Sequence, residues 1–115
     1  MTANDALAEI TAGAALAAVA SGALFLDVRE QDEWDRGHSP AATLLPMSRL
    51  RDGIDELPKD APILVVCHSG RRSASVVAAL RGAGYNAVNV VGGMLAIVDA
   101  GGEIVADGAD APRVD

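Results

Sequence analysis

The chain's one cysteine stands at the start of a short polar and basic stretch. An apolar run, 63–66, ends directly before it, and the stretch reads Cys67-His68-Ser69-Gly70-Arg71-Arg72-Ser73. A free thiol ionises near pH ~8.5, so a cysteine becomes a nucleophile at neutral pH only where its surroundings favour the thiolate. A tight loop of backbone N–H groups, the start of a helix and nearby arginines are such surroundings. The stretch therefore predicts a reactive thiolate.

The alternative for Cys67 is an inert thiol in the core, where free cysteines are common. The serine, glycine and two arginines that follow it are not core residues, which favours the reactive interpretation. A lone cysteine forms no internal disulfide and no cysteine-rich zinc site. His38 and His68 are far from other potential ligands along the sequence. We therefore expect no metal ion and no cofactor.

Alternating strands and helices are predicted to position Cys67. Strand 63–66 delivers it to the carboxyl end of a sheet, Gly70 permits a tight turn, and helix 73–81 follows. The remaining pattern predicts strands 24–28, 42–45 and 87–91, and helices 14–20 (capped by Thr11), 47–57 and 94–100. Short apolar strands alternating with helices predict an α/β fold. Its central sheet is mostly parallel, has about five short strands, and carries helices on both faces.

Length and charge restrict the remaining possibilities. The chain has 115 residues, which suits a single domain. We assign that domain to residues 1–106 and a flexible tail to the acidic residues 107–115. Nine basic against sixteen acidic residues give a net charge of −7, which argues against binding nucleic acid or an anionic membrane. The amino-terminal residues lack the basic region of a signal peptide, and the uncharged stretch 10–26 is shorter than the ~20 residues of a membrane helix. We therefore expect a soluble, cytoplasmic protein.

Four blocks, in this order along the chain, resemble the single-domain rhodanese family of sulfurtransferases. They are Leu26-Asp27-Val28-Arg29-Glu30, Glu33-Trp34 with Gly37-His38-Ser39-Pro40-Ala41, the loop from Cys67 to Ser73, and Val91-Gly92-Gly93. The resemblance covers roughly residues 24–105. It implies that a Cys67 thiolate takes the sulfane sulfur of a small anionic donor such as thiosulfate and becomes a persulfide. Cyanide, a small thiol or a protein then accepts that sulfur.

The resemblance also implies roles for individual residues. Cys67 takes the nucleophile's position, and the substrate-binding loop consists of His68, Ser69, Gly70, Arg71 and Arg72. Arg29 either binds the anionic donor or forms a salt bridge with a nearby acid. The supporting residues are Asp27, which anchors an arginine or the loop, His38, which forms structural hydrogen bonds, and Ser73, which caps the following helix. Trp34 packs on the local core.

Two other functions remain open. Cysteine-dependent phosphatases and arsenate reductases place an arginine six residues after the cysteine, whereas here Ser73 holds that position and Arg72 comes one residue earlier. The resulting six-residue loop suits one sulfur atom better than a tetrahedral oxyanion, which favours sulfur transfer. The second alternative is a non-enzymatic sulfur carrier or interaction module that receives sulfur from a partner.

Overall fold

The computed structural model describes residues 8–115, which form a central five-stranded sheet. The strands are β1 (Glu9–Ile10), β2 (Leu24–Asp27), β3 (Thr43–Leu44), β4 (Ile63–Val66) and β5 (Ala87–Val90). They lie in the order β1-β5-β4-β2-β3, and every neighbouring pair is parallel. The carboxyl ends of all five strands therefore lie at one edge of the sheet.

Within residues 8–115, five α-helices connect or follow these strands. They are α1 (Ala12–Ala20), α2 (Gln31–Arg36), α3 (Leu50–Gly53), α4 (Arg71–Gly82) and α5 (Gly93–Asp99), and two 3₁₀ turns, Met47–Arg49 and Ile54–Glu56, flank α3. Thr11 caps α1 as expected, because its Oγ1 accepts a hydrogen bond from the N–H of Ala14 at 3.2 Å.

Two apolar clusters cover the two faces of the sheet. Successive side chains of a strand point to opposite faces, so each strand contributes to both clusters. One joins β2, β4 and β5 to α4 through buried residues that include Leu26, Val65, Val76, Val77 and Leu80. The other joins the sheet to α1 and α5 through residues that include Ala15, Phe25, Leu64, Met94 and Ile97. Each fully buried Val or Leu contributes roughly 1.5–3 kcal/mol. This arrangement confirms the predicted α/β fold with helices on both faces.

Two elements were not predicted. β1 has only two residues, too few to produce a periodic pattern. α2 is polar apart from Trp34 and has no fully buried residue, so it has no apolar stripe. A capping box holds it, in which the side chain of Glu30 accepts from the backbone of Glu33 and the side chain of Glu33 accepts from the N–H of Glu30. In the sequence, the signal for this helix start was the pair Glu30 and Glu33, spaced three residues apart as in a capping box.

The predicted helix 47–57 is broken into three short turns. Its apolar residues Leu50, Ile54 and Leu57 still pack on the cluster beside α4, as the helical spacing indicated. Gly53 ends the central turn, and a Cβ there would lie 2.7 Å from Cδ1 of Leu45. Gly53 lies inside the predicted helix, where a glycine weakens a helix by about 0.5–1 kcal/mol, and this accounts for the interruption.

Residues 107–115 follow the domain assigned from the sequence and lie near α2. The N–H of Arg113 donates to the carbonyl of Arg36 at 2.9 Å, and the carboxylate of Asp115 lies 2.7 Å from Nε of Arg36. Val114 packs against the cluster beside α1 and α5. Flexibility of this segment stays a prediction. Among residues 8–115, no helix is long and apolar enough to cross a membrane.

Candidate active site

Cys67 directly follows β4, at the carboxyl edge of the sheet. The residue is buried, and its Sγ accepts a hydrogen bond from the N–H of Gly70 at 3.1 Å. The hydroxyl oxygen of Ser73 lies 3.2 Å from the same sulfur. The chain between these residues curls around the sulfur and enters α4 at Arg71. The amino-terminal N–H groups of a helix lack partners within it, so this end is positively polarised toward the sulfur.

These surroundings favour the thiolate. Burial raises the pKa of the Cys67 thiol, but hydrogen bonds from the side chain and backbone of Ser73 and from the backbone of Gly70 and Ser69 outweigh it. The net effect lowers the pKa below that of a free thiol. An inert core cysteine has an apolar environment and the opposite shift. The geometry therefore matches the reactive interpretation of Cys67.

Glycines shape the loop from two sides. Gly70 has a φ of +105°, and a Cβ on it would lie 3.3 Å from the nitrogen of Gly92. Gly93 has a φ of +61°, and a Cβ on it would lie 2.6 Å from the carbonyl oxygen of Cys67. The close approach lets the N–H of Met94 donate to Cys67 O at 2.7 Å and that of Leu95 donate to His68 O at 3.2 Å. The start of α5 thus holds the loop backbone.

Arg72 is fully engaged with Glu33 of α2. Its two terminal nitrogens donate to the two carboxylate oxygens at 2.7 and 2.8 Å. The hydrogen bonds from Arg72 are the main reason that the pKa of Glu33 falls to about 2. The same contact raises the pKa of Arg72. This bidentate pair ties the first turn of α4 to α2 and leaves Arg72 as a fixed positive charge near the sulfur.

The other loop side chains are more open. Ser69 and Arg71 are exposed, and His68 is half-buried. Within residues 8–115, the guanidinium of Arg71 makes no hydrogen bond or ion pair. The Nε2 atom of His68 is buried and has no hydrogen-bond partner in this part of the chain. Arg71 is therefore the loop arginine that an anion from solution can reach.

Arg29 does not face the loop opening. It is 1% exposed, and its guanidinium donates to both carboxylate oxygens of Asp27, at 2.7 to 3.1 Å, and to the carbonyl of Gly37 at 2.8 Å. Asp27 is fully buried at the end of β2. The substrate-binding role considered for Arg29 is therefore wrong, because a solute has no access to its guanidinium. The alternative, a salt bridge, is what the structure contains, and Asp27 anchors that arginine.

His38 and Trp34 form a second structural unit beside α2. Their rings stack with centroids 3.7 Å apart and planes within 5°. Nδ1 of His38 lies 2.7 Å from the carbonyl oxygen of Trp34, and the backbone of His38 pairs with that of Val105. These contacts give His38 a structural place in the scaffold.

The structure differs from the expected site at two residues, Ser73 and Asn89. α4 begins at Arg71 with Gly70 as its cap, so the capping role expected for Ser73 is wrong. The Ser73 hydroxyl instead lies between Cys67 Sγ and Oδ1 of Asn89, at 3.2 and 2.5 Å. Asn89 was not predicted as a site residue. A buried polar residue inside an apolar strand was the available signal.

Comparison with known proteins decides the family. The sequence model of the family described as rhodanese-like domain matches residues 5–100 of this chain. The chain belongs to the rhodanese-like domain family. This rhodanese-like domain superposes on the crystal structure of a rhodanese-related protein from Thermoplasma volcanium with a TM-score of 0.77 and 34% identity, over 84% of this chain and 96% of that one. A rhodanese-like domain protein from Staphylococcus aureus gives 0.76 and 36%, over 85% and 98%.

Relatives of this rhodanese-like domain carry sulfur-transfer names. It is 39% identical to the thiosulfate sulfurtransferase GlpE of Pseudomonas entomophila, covering 69% of this chain and 72% of that protein. It is 37% identical to the putative sulfur carrier protein YrkF of Bacillus subtilis, over 60% of this chain. The rhodanese-like domain spans only 38% of the length of that carrier protein. In residues 8–115, no three His, Cys, Asp or Glu side chains are grouped to hold a metal ion.

Proposed function

We propose that this rhodanese-like domain is a sulfurtransferase that carries sulfane sulfur as a persulfide on Cys67. The observation that supports this most strongly is the environment of Sγ, which accepts a backbone hydrogen bond from Gly70 and faces the first turn of α4. The names of its relatives support the same class of reaction.

The reaction consists of two displacements. The Cys67 thiolate attacks the sulfane sulfur of thiosulfate, a new S–S bond forms, and the donor's S–S bond breaks so that sulfite leaves with the electron pair. The persulfide's negative charge then resides on the outer sulfur. An acceptor thiolate or cyanide attacks that sulfur, the Cys67 Sγ–S bond breaks, and the Cys67 thiolate re-forms. With cyanide the product is thiocyanate.

The loop supplies electrostatic stabilisation in both steps. Its N–H groups and the start of α4 favour negative charge on the sulfur atoms that they surround. Arg71, the exposed arginine of the loop, attracts an anionic donor because its guanidinium has no acidic partner among the described residues. Arg72 adds a fixed charge but is occupied by Glu33. Arg71 is thus the donor-binding side chain, and Arg72 positions the loop.

Two arginine variants test this division. We expect Arg71→Ala to raise the KM for thiosulfate several-fold with a small effect on thermal stability. Arg72→Ala should lower both kcat and stability, because it also leaves Glu33 without its partner. The matched control is Arg51→Ala, which removes an exposed arginine on α3. An unchanged KM in Arg71→Ala would remove this residue from the donor site.

The six-residue loop supports sulfur transfer over phosphate chemistry. Phosphatases of this type use a free arginine to clamp a tetrahedral oxyanion, whereas Arg72 already binds both oxygens of Glu33. We expect no significant hydrolysis of an aryl phosphate by the wild-type protein. Robust turnover that disappears in Cys67→Ser would favour the phosphatase alternative.

The relationship to a putative sulfur carrier keeps a second function open. A carrier and an enzyme both accept sulfur, but only the enzyme releases it rapidly to small thiols or cyanide. Thiocyanate production from thiosulfate and cyanide, absent in Cys67→Ser, is the decisive assay. A persulfide that forms but discharges only to a protein would favour the carrier.

We also propose a cytoplasmic location, where reducing conditions keep a lone thiol free.

A further inference from the structure

Asn89 is linked to the reactive sulfur through one hydroxyl group. β5 places it beside Val65 of β4, and it is only 7% exposed. Its Oδ1 lies 2.5 Å from Oγ of Ser73, and that Oγ lies 3.2 Å from Sγ of Cys67. The sulfur-transfer steps above assign no role to Asn89.

The carbonyl group of Gly70 determines how the Asn89 amide is oriented. Nδ2 of Asn89 donates to Gly70 O at 3.1 Å. A carbonyl oxygen only accepts, so the amide must turn its nitrogen toward Gly70 and its oxygen toward Ser73. The reversed amide would place two acceptors against each other and leave buried polar groups unsatisfied.

That orientation determines where the Ser73 hydrogen goes. Oδ1 of Asn89 is an acceptor only, so the contact at 2.5 Å is made by the single hydroxyl hydrogen of Ser73. While it is there, Oγ presents lone pairs to Sγ of Cys67. Lone pairs can accept the hydrogen of a thiol, but they do not stabilise a thiolate. A thiolate must therefore draw the hydrogen away from Asn89.

We propose that Asn89 is a positioning residue that competes with the sulfur of Cys67 for the hydroxyl hydrogen of Ser73. The hydrogen stays on the Asn89 side when Cys67 is a thiol and turns to the sulfur when Cys67 is anionic. In the persulfide, whose role rests on the proposed function, the charge lies on the outer sulfur and the hydrogen returns to Asn89. The Ser73 hydroxyl thus changes its hydrogen-bond partner with the charge of Cys67, and its hydrogen bond to Asn89 determines how readily this change occurs.

This competition affects both steps of sulfur transfer, the attack of Cys67 on the donor and the release of sulfur to the acceptor. A thiol that ionises less readily is a stronger nucleophile once ionised, and a poorer leaving group. By drawing the hydrogen from the sulfur, Asn89 makes the Cys67 thiolate a stronger nucleophile and a poorer leaving group, and it lowers the fraction of Cys67 that is ionised. The charged and titratable groups around Cys67 are Arg71, Arg72, Glu33 and His68, and none of them has a hydrogen bond to Asn89 among those of residues 8–115. Glu9 of β1 is the register partner of Asn89, and Glu9 and Arg81 line one surface cavity with it.

The test uses the pH dependence of Cys67 alkylation by iodoacetamide, which needs no sulfur donor. Failure of sulfur transfer therefore leaves this test intact. Asn89→Leu keeps the shape of the side chain and removes its acceptor. We expect the midpoint of the alkylation profile to move about one pH unit lower, because the Ser73 hydroxyl then donates to the thiolate without giving up a hydrogen bond to Asn89. Asn86→Leu, at an exposed position before β5, is the matched control and should not move it.

A double-mutant cycle separates this effect from the lost contact with Gly70. On a Ser73→Ala background, Asn89→Leu still loses the Gly70 contact, but it has no hydroxyl to release. We therefore expect the downward shift to be about one unit larger with Ser73 present than on the Ser73→Ala background. Equal shifts on both backgrounds would overturn the proposal.

A second substitution covers the case in which Asn89→Leu fails to fold. Asn89→Asp keeps an acceptor for Ser73 and strengthens it with a negative charge. We expect the midpoint to rise, and to rise further when Ser73 is present than on the Ser73→Ala background. A rise that is independent of Ser73 would show that charge alone acts on Cys67, and it would also overturn the proposal.

Discussion

At the scale of single residues, three arginines near the site differ in their burial and in their acidic partners, and therefore in their roles. Arg29 is buried against Asp27, Arg72 is paired with Glu33, and Arg71 is exposed. All three occur within blocks shared with rhodaneses, so sequence alone did not separate their roles. The difference arises from which acid each guanidinium meets once the chain has folded.

Replacement of Arg29 should act on stability. Arg29→Leu leaves the Asp27 carboxylate buried without its partner, which costs about 3–5 kcal/mol. We expect a matching fall in the free energy of unfolding measured with urea, and partial recovery in the double variant Asp27→Asn, Arg29→Leu. Arg29→Lys should fold less stably but bind thiosulfate with an unchanged KM. A raised KM with unchanged stability would restore Arg29 as a donor-binding residue.

At the scale of elements, the cysteine loop depends on three neighbours that hold it in place. β4 delivers the sulfur, α2 holds Arg72 through Glu33, and the start of α5 binds the loop carbonyls. The strand, the glycine and the following helix were predictable because apolar runs and turn residues mark them. α2 and the contacts of α5 were not, because polar capping and backbone donation leave little trace in a hydrophobic pattern.

The link between α2 and α4 should weaken in acid. The pKa of Glu33 is about 2 in the folded protein against an ordinary value of 4.5, so its contribution is complete above pH 4.5 and is lost as the pH falls toward 2. Because the pair is partly exposed, the contribution is about 1 kcal/mol. We expect Glu33→Gln to be destabilised by that amount in urea unfolding near pH ~6. The difference from wild type should shrink below pH 4.5.

The control for that measurement is Asp32→Asn on the same helix, whose carboxylate is mostly exposed and lies 3.5 Å from Arg36. It should show little difference from wild type at either pH. A Glu33→Gln difference that persists unchanged in acid would mean that the carboxylate charge is not what joins the two helices.

The close approach of α5 to the loop predicts a strong effect of one methyl group. In Gly93→Ala, the new Cβ would lie 2.5 Å from His68 O and 2.6 Å from Cys67 O, at a backbone φ of +61°. The loop or α5 must move, so we expect at least a tenfold loss of thiosulfate sulfurtransferase activity together with lower stability.

The matched substitution is Gly13→Ala in α1, where a Cβ would have nothing within 4 Å. It should raise stability by about 0.5–1 kcal/mol, since alanine is the better helix former, and leave activity unchanged. Normal activity in Gly93→Ala would show that the glycine contact does not hold the loop.

At the scale of the whole molecule, the acidic surface and the basic loop have opposite signs. The chain carries a net charge of −7, yet the loop after β4 has two arginines and the positive end of α4. The fold class followed from the alternation of strands and helices. The segment 107–115 illustrates the limit of that approach: its composition suggested a flexible tail, while its contacts with α2 involve backbone groups that composition does not encode.

Removal of residues 107–115 tests the weight of those contacts. The truncated chain keeps the pairing of His38 with Val105. It loses the hydrogen bonds from Arg113 to Arg36 and from Asp107 to Asp35, the ion pair of Asp115 with Arg36, and the packing of Val114. These losses amount to about 1 kcal/mol, so we expect Tm to fall by roughly 4 °C. The alkylation profile of Cys67 should not change. An unchanged Tm would support a tail that is flexible in solution.

The central claim is that Cys67 holds the transferred sulfur, and intact-protein mass spectrometry tests it most directly. After incubation with thiosulfate and removal of excess donor, the wild-type chain should gain about 32 Da, one sulfur atom. Cyanide should remove that mass and release thiocyanate. Cys67→Ser should gain nothing. A wild-type protein that gains no sulfur, or a Cys67→Ser variant that gains as much, would contradict the account.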